Sequence, residues 1–342
     1  IIIFVKFFMK EKISVRKILL FSMLIFLAFL AIFIMAFLFA SSPDEEIIYK
    51  KSFNLIGPQT ILKTDNAKKL NANMVSVISF AFPENNRIQI QKPIKTFLGL
   101  QIQSAYSQRL GVELRGGTAG GSGVTDFQEF RPSMLEYIKE LAILAESKKV
   151  SQFTIWGEID NLLYKSPEQI TPFSQELLQT ASQHYSGKIG IGICSITDTS
   201  FYNFSGYDYM IVSLYPIETT VEEYFSENST SYGINSNLQR QLKKVEEIKN
   251  KSNIDTIYVG ETGVYDTDDK STRDQFKTLI LTHEEEAEFY KKFFQKTENF
   301  FNGYSLWLHD QTLGVGEDDA EKVVEEFYVQ NQTSKNPHNN NT

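Results

Sequence analysis

From residue 51 to residue 308 the chain alternates between short β-branched or aromatic runs and longer amphipathic stretches, and few folds accept that pattern. Candidate strands occupy 51–56, 74–82, 111–115, 153–158, 188–194, 207–214, 256–261 and 303–308. Candidate helices occupy 59–70, 93–108, 127–148, 172–185, 236–250, 284–300 and 320–328, and only the connection after the fifth strand lacks a full helix. Asp126 with Glu129, and Thr282 with Glu285, have capping-box spacing at two of the helix starts. Such alternation implies parallel strands joined by right-handed crossovers. Most strands read as continuous apolar runs, as strands covered on both faces do. Eight units point to a single closed (β/α)8 barrel, a TIM barrel, rather than an open doubly wound sheet.

The barrel does not account for the ends of the chain. Residues 18–39 are apolar except for Ser22, long enough to cross a bilayer as a helix. Lys6, Lys10, Lys12, Arg16 and Lys17 precede this run and Ser41-Ser42-Pro43-Asp44-Glu45-Glu46 follows it. That asymmetry predicts a cytoplasmic N-terminus and an extracytoplasmic barrel. A cleaved signal peptide is the rival reading, but its apolar region would be unusually long, and Leu38-Phe39-Ala40 is a poor cleavage site. Met9 is a candidate start, so the eight residues before it enter no argument. The expected organisation is a basic cytoplasmic segment (1–17), a membrane anchor (18–40), a linker (41–50), the barrel (51–329) and an Asn-rich disordered tail (330–342).

Charge and cysteine content narrow the partners. The first 40 residues carry five Lys/Arg and one Glu, so of the formal net charge of −8 the remainder carries −12. An acidic domain repels phosphates, which excludes a general nucleic-acid binder. Cys194 is the only cysteine and can form no intrachain disulfide. The four His residues (His184, His283, His309, His338) are dispersed, and no metal or cofactor is expected. The glycine-rich stretch 116–123 lacks both P-loop and dinucleotide spacing and reads as a loop bordering a cleft. The acidic segment 266–270 has Lys270 where a calcium loop needs its third ligand. Oligomeric state is not readable.

In a barrel of this type chemistry sits at the C-terminal ends of the strands. Two ends stand out: Trp156-Gly157-Glu158 after the fourth candidate and Val259-Gly260-Glu261 after the seventh. Three strands apart, the two Glu side chains can face one another across the mouth. Retaining glycoside hydrolysis needs two carboxyl groups about 5–5.5 Å apart, one ionised and one protonated. Trp156, Tyr215 after the sixth strand and Trp307 on the eighth offer aromatic planes for sugar faces. Tyr215 is also a candidate donor to a carboxylate. His309 and Asp310, just past the eighth strand, are further candidates for substrate contact.

The order Glu158, Tyr215, Glu261, Trp307 resembles the clan A retaining glycoside hydrolases, and the Gly-Glu form at strand four is similar to the family 113 β-mannanases. The resemblance spans roughly residues 52–329. It implies Glu158 as acid/base, Glu261 as nucleophile, a poly- or oligosaccharide substrate and no cofactor. Gly157 stands where most clan members carry an Asn that contacts the sugar 2-hydroxyl. The second strand lacks the Arg usual near its end, for which Arg115 on strand three is the candidate substitute and a candidate sugar contact. A barrel that binds surface glycan without cutting it is the alternative; it uses the aromatics but does not need both carboxylates.

Overall fold

The computed structural model describes residues 49–55, 60–79, 86–90, 92–117, 124, 126–194, 198–216, 220–227, 237–266, 280–307 and 319–333, together with 23, 26, 27 and 30. The chain separates into two compact units, Ile1–Ser41 and Ser42–Thr342. In the first, Met23, Phe26, Leu27 and Leu30 are helical and exposed. The remainder of the run expected to cross a membrane lies outside the described residues. Among those described, no helix is long and apolar enough to cross one.

The second unit is built on eight strands: β1 (Lys50–Leu55), β2 (Met74–Ser79), β3 (Gly111–Gly116), β4 (Gln152–Thr154), β5 (Lys188–Ile193), β6 (Tyr209–Ser213), β7 (Thr256–Glu261) and β8 (Gly303–Trp307). All pair in parallel in chain order, and β1 pairs with both β2 and β8 to close the barrel. Around it lie α1 (Thr60–Lys69), α2 (Lys92–Ser107), α3 (Phe127–Lys148), α4 (Ile170–Ser182), α5 (Leu238–Ser252), α6 (His283–Thr297) and α7 (Asp319–Thr333). Among its described residues, the β5–β6 connection holds only a three-residue turn of 3₁₀ helix, Thr199–Phe201. α7 runs to Thr333, past the boundary at Gln330 where composition predicted a disordered tail.

Local chemistry sets the helix ends. Thr282 and Glu285 form the complete capping box, with Glu285 N donating to Thr282 Oγ1 (3.2 Å) and Thr282 N to Glu285 Oε2 (2.8 Å). Asp126 caps α3 by accepting from the N–H of Gln128 and Glu129. Glu129, however, turns its carboxylate to Asn86 Nδ2 (3.2 Å) instead of returning to the cap.

Strand alternation places one set of side chains on the helices and the other inside the barrel. On β1, Phe53 packs edge-on against Tyr328 of α7 (ring centroids 5.6 Å apart), and Lys51 Nζ reaches the Tyr328 carbonyl at 3.2 Å. Lys50, Ser52 and Asn54 point inward. The interior is therefore not the apolar stack that continuous hydrophobic runs implied. Lys50, Ser76, Glu113, Arg115 and Thr154 form one buried hydrogen-bonded network. Charges can be held there only in pairs, since removing one member of a buried ion pair costs about 3–5 kcal/mol.

Two local departures shape the C-terminal rim. The β6–β7 register runs Val212↔Val259 and then Ser213↔Glu261, leaving Gly260 as an extra residue. A Cβ at Gly260 would come within 2.9 Å of the Ile211 side chain, so glycine alone fits. The bulge turns the Gly260 carbonyl to Asn54 Nδ2 (2.9 Å) and Arg115 Nη1 (3.2 Å), and Glu261 is aimed from there. On the fourth strand, expected over 153–158, the ladder ends at Thr154. Beyond it the chain keeps hold of β5 through Ile155 N to Gly190 O (2.9 Å) and Gly192 N to Trp156 O (2.7 Å).

Candidate active site

Glu261 is the last residue of β7 and is 4% exposed. Its Oε1 accepts from Arg115 Nη1 at 3.2 Å and its Oε2 from the Tyr215 hydroxyl at 3.1 Å. Tyr215 Oη in turn accepts from Trp307 Nε1 at 2.7 Å. One carboxylate is thus served by donors from β3 and from the segment after β6, and the second donor is braced by β8.

Glu158 stands at the N-terminal edge of a four-residue helix, Ile159–Leu162, and is 8% exposed. That helix brings Asn161 back over it, and Asn161 Nδ2 donates to Glu158 Oε2 at 2.8 Å. The Ser213 hydroxyl and the Cys194 thiol also lie beside the Glu158 carboxyl and favour its ionised form. Ser213 Oγ nevertheless completes no hydrogen bond among the described residues, so it faces Glu158 with its bonding capacity open. Two residues on, Asp160 is buried and ties the rim together. Its Oδ1 accepts from Cys194 N (2.9 Å) and its Oδ2 from the Tyr202 hydroxyl (3.2 Å).

The two glutamates share one electrostatic environment. Burial raises the pKa of both above the ordinary carboxylate range. The charge on Glu158 raises Glu261 further, while Arg115 and Tyr215 pull it down. Two coupled carboxyls in this position retain one proton near neutrality. A guanidinium in direct contact and a phenol stabilise the anion on Glu261 more than the neutral Asn161, Ser213 and Cys194 groups and the more distant Arg115 charge stabilise it on Glu158. The proton therefore belongs on Glu158. Such a pair can deliver a proton on one side and a nucleophile on the other.

Trp156, expected to line the cleft, is fully buried. It packs edge-on against Tyr137 of α3 (6.2 Å between ring centroids) and presses on Gly117, where a Cβ would stand 2.4 Å from the indole. The end of the ladder at Thr154 turns it outward, and it belongs to the barrel–helix core. Arg115, expected to contact sugar, is also fully buried and contacts Glu261 from beneath. His309, Asp310 and residues 118–123 and 267–270 lie outside the described residues. Asn161, Ser213 and Asp160 were not singled out from sequence. Asn161 is signalled only by its three-residue spacing from Glu158, and Ser213 by its place at the end of a strand. Among the described residues no three His, Cys, Asp or Glu side chains are grouped to hold a metal ion.

No protein-family model matches the sequence, and no curated protein matches it. Solved structures do. A GH113 β-1,4-mannanase superposes with a TM-score of 0.64 over 83% of this chain and 99% of its own, at 17% identity. The GH113 β-mannanase AaManA from Alicyclobacillus acidocaldarius gives 0.61 over 84% and 98%, at 14% identity. The endoglucanase Cel5A from Thermotoga maritima gives 0.59 over 82% and 97%, at 16% identity. These proteins share the (β/α)8 barrel fold with this chain. At these identities the likeness is one of architecture.

Proposed function

We propose that this protein is a retaining glycoside hydrolase acting on a β-linked glycan. The observation that carries the reading is the unequal pair: two buried, mutually repelling carboxyls, of which Glu261 alone is held by a cation and a phenol. In the first step a Glu261 oxygen attacks the anomeric carbon while Glu158 gives its proton to the glycosidic oxygen, and the bond to the leaving sugar breaks. In the second, ionised Glu158 takes a proton from water, whose oxygen displaces Glu261 from the same carbon. Two inversions give net retention. The mannanase names of the similar structures make β-1,4-mannan the first polymer to assay.

On the same reading the barrel is displayed outside the cytoplasm by a single-pass anchor at 18–40. Support comes from the length of the apolar run and from the basic residues before it. Protease treatment of intact cells, with the fragment followed by an antibody to the barrel, tests that placement.

The activity test is a panel of aryl β-glycosides and β-linked polysaccharides, with Glu158→Gln and Glu261→Gln as controls and product anomers followed by NMR. Hydrolysis with retention, abolished in Glu261→Gln while glycan binding persists, supports the assignment. Binding without turnover by the parent on every glycan would instead identify a lectin-like barrel.

A further inference from the structure

Beneath Glu261, charged side chains are stacked through the barrel interior. Lys50 Nζ on β1 lies 2.6 Å from Glu113 Oε2 on β3, and Arg115 Nη2 lies 2.9 Å from the same oxygen. Arg115 Nη1 then reaches Glu261 Oε1 at 3.2 Å. Lys50, Glu113 and Arg115 are inaccessible to solvent. Uncharged groups complete the lining: Ser76 and Thr154 donate to Glu113, and Thr154 meets the Tyr209 hydroxyl at 2.9 Å. Lys50 Nζ sits 4.9 Å from the centre of the Tyr258 ring.

The double displacement uses Arg115 at Glu261 but gives no task to Lys50 or Glu113. Packing does not require them either. Barrel interiors are ordinarily filled by branched apolar side chains, and buried ion pairs can often be replaced by hydrophobic residues without loss of stability. Charge counting supplies the missing reason. Arg115 lies between two carboxylates, and an anionic Glu113 cancels much of the positive field that Arg115 would exert on Glu261. Lys50, paired to the same Glu113 oxygen, cancels that cancellation.

We propose that Lys50 and Glu113 are positioning residues for Glu261: Glu113 fixes the Arg115 guanidinium, and Lys50 neutralises Glu113 so that Arg115 presents an undiminished positive charge to the nucleophile. The inference rests on the glycosidase reading only for the use made of that charge. The charge relation itself can be measured without turnover. Burial brings Lys50 down to about 8 even with Glu113 beside it, so the column loses a positive charge on the alkaline side. The ionisable groups facing the column and Glu261 are Tyr209 from β6, Tyr258 from β7, and Tyr215 and Glu158 from the rim; the three tyrosines stay protonated because burial raises each of them.

The test uses the full chain carrying Lys50→Met, Lys50→Arg, or Lys50→Met with Glu113→Gln. Glu261 protonation is followed by infrared difference titration of the protonated carboxyl band, assigned by its loss in Glu261→Gln. Lys50→Met should move the Glu261 titration upward by about one pH unit. Lys50→Arg should leave it in place, and the double variant, which removes one charge of each sign, should restore it. The acid limb of the hydrolysis profile should follow the same order. No displacement in Lys50→Met, or a double variant displaced as far as the single one, overturns the proposal. Should Lys50→Met not fold, Lys50→Gln takes its place, with the same outcomes supporting or overturning the column. A parent inactive on every glycan would remove the glycosidase reading while leaving the titration as the test of the column.

Discussion

The Tyr215 hydroxyl stands between Trp307 Nε1, at 2.7 Å, and Glu261 Oε2, at 3.1 Å. An indole N–H can only donate and an ionised carboxylate can only accept, so the hydroxyl hydrogen is directed at Glu261. β8 thereby orients a donor before any substrate arrives. Burial and the Glu261 charge raise Tyr215 well above an ordinary phenol, and it remains a donor throughout.

Tyr215→Phe removes that donor and leaves the Trp307 N–H without its partner. A hydrogen bond to a charged group contributes about 1.5–3 kcal/mol, so kcat/KM should fall about 10- to 100-fold. Because the lost bond stabilises ionised Glu261, the acid limb of the pH profile should move upward. A defect confined to KM, with the limb unmoved, would assign Tyr215 to the sugar instead.

The coupled pair predicts a bell-shaped profile in the parent. Activity rises as the pair loses its first proton and falls as it loses the second. In Glu158→Gln the group that loses the second proton is gone, while Glu261 still ionises beside a neutral neighbour. With an aryl glycoside whose leaving group needs no protonation, the acid limb should stay in place and the alkaline limb should vanish. Persistence of the alkaline limb in this variant would show that another group supplies the proton.

The two glutamates were legible because each follows Gly at the end of an apolar run, a pattern local in the chain. The charged column was not. On β3 the order Val112-Glu113-Leu114-Arg115 reads as a strand with one face in solvent, and only barrel closure turns that face into an interior. Trp156 misled for the opposite reason. Its spacing from Glu158 implies a shared face, but that holds only while the ladder continues, and the ladder stops at Thr154. Asn161 needed the short helix Ile159–Leu162, which is less than two turns long and leaves no periodic signal.

The core placement of Trp156 separates stability from binding. Trp156→Ala should destabilise the barrel by about 3–5 kcal/mol through the cavity it leaves beside Tyr137. Trp156→Phe should lose far less stability and keep the parental KM for oligosaccharides. Urea denaturation and steady-state kinetics on the same preparations check both. A raised KM in a fully folded Trp156→Phe would return the indole to the cleft.

Asp160 makes the rim pH-sensitive in a calculable direction. Burial, opposed by the Cys194 N–H, raises it from 3.8 to about 6, with the Glu158 charge adding to the rise. The unfolded chain releases this proton near pH 4 and the folded chain holds it until about 6, so the folded state binds more protons across that window. Stability from this group is therefore present below pH 4 and is lost as pH rises through 6, by up to about 3 kcal/mol. Asp160→Asn cannot titrate. Its Oδ1 can still accept from Cys194 N, and its Nδ2 can donate to the Tyr202 oxygen. Urea unfolding from pH 4 to pH 7 should show the parent falling relative to the variant, and parallel curves would mean that Asp160 titrates normally. By reciprocity the Asp160 charge helps keep Glu158 protonated, so Asp160→Asn should also move the alkaline limb of hydrolysis downward, a shift that a purely structural pin would not produce.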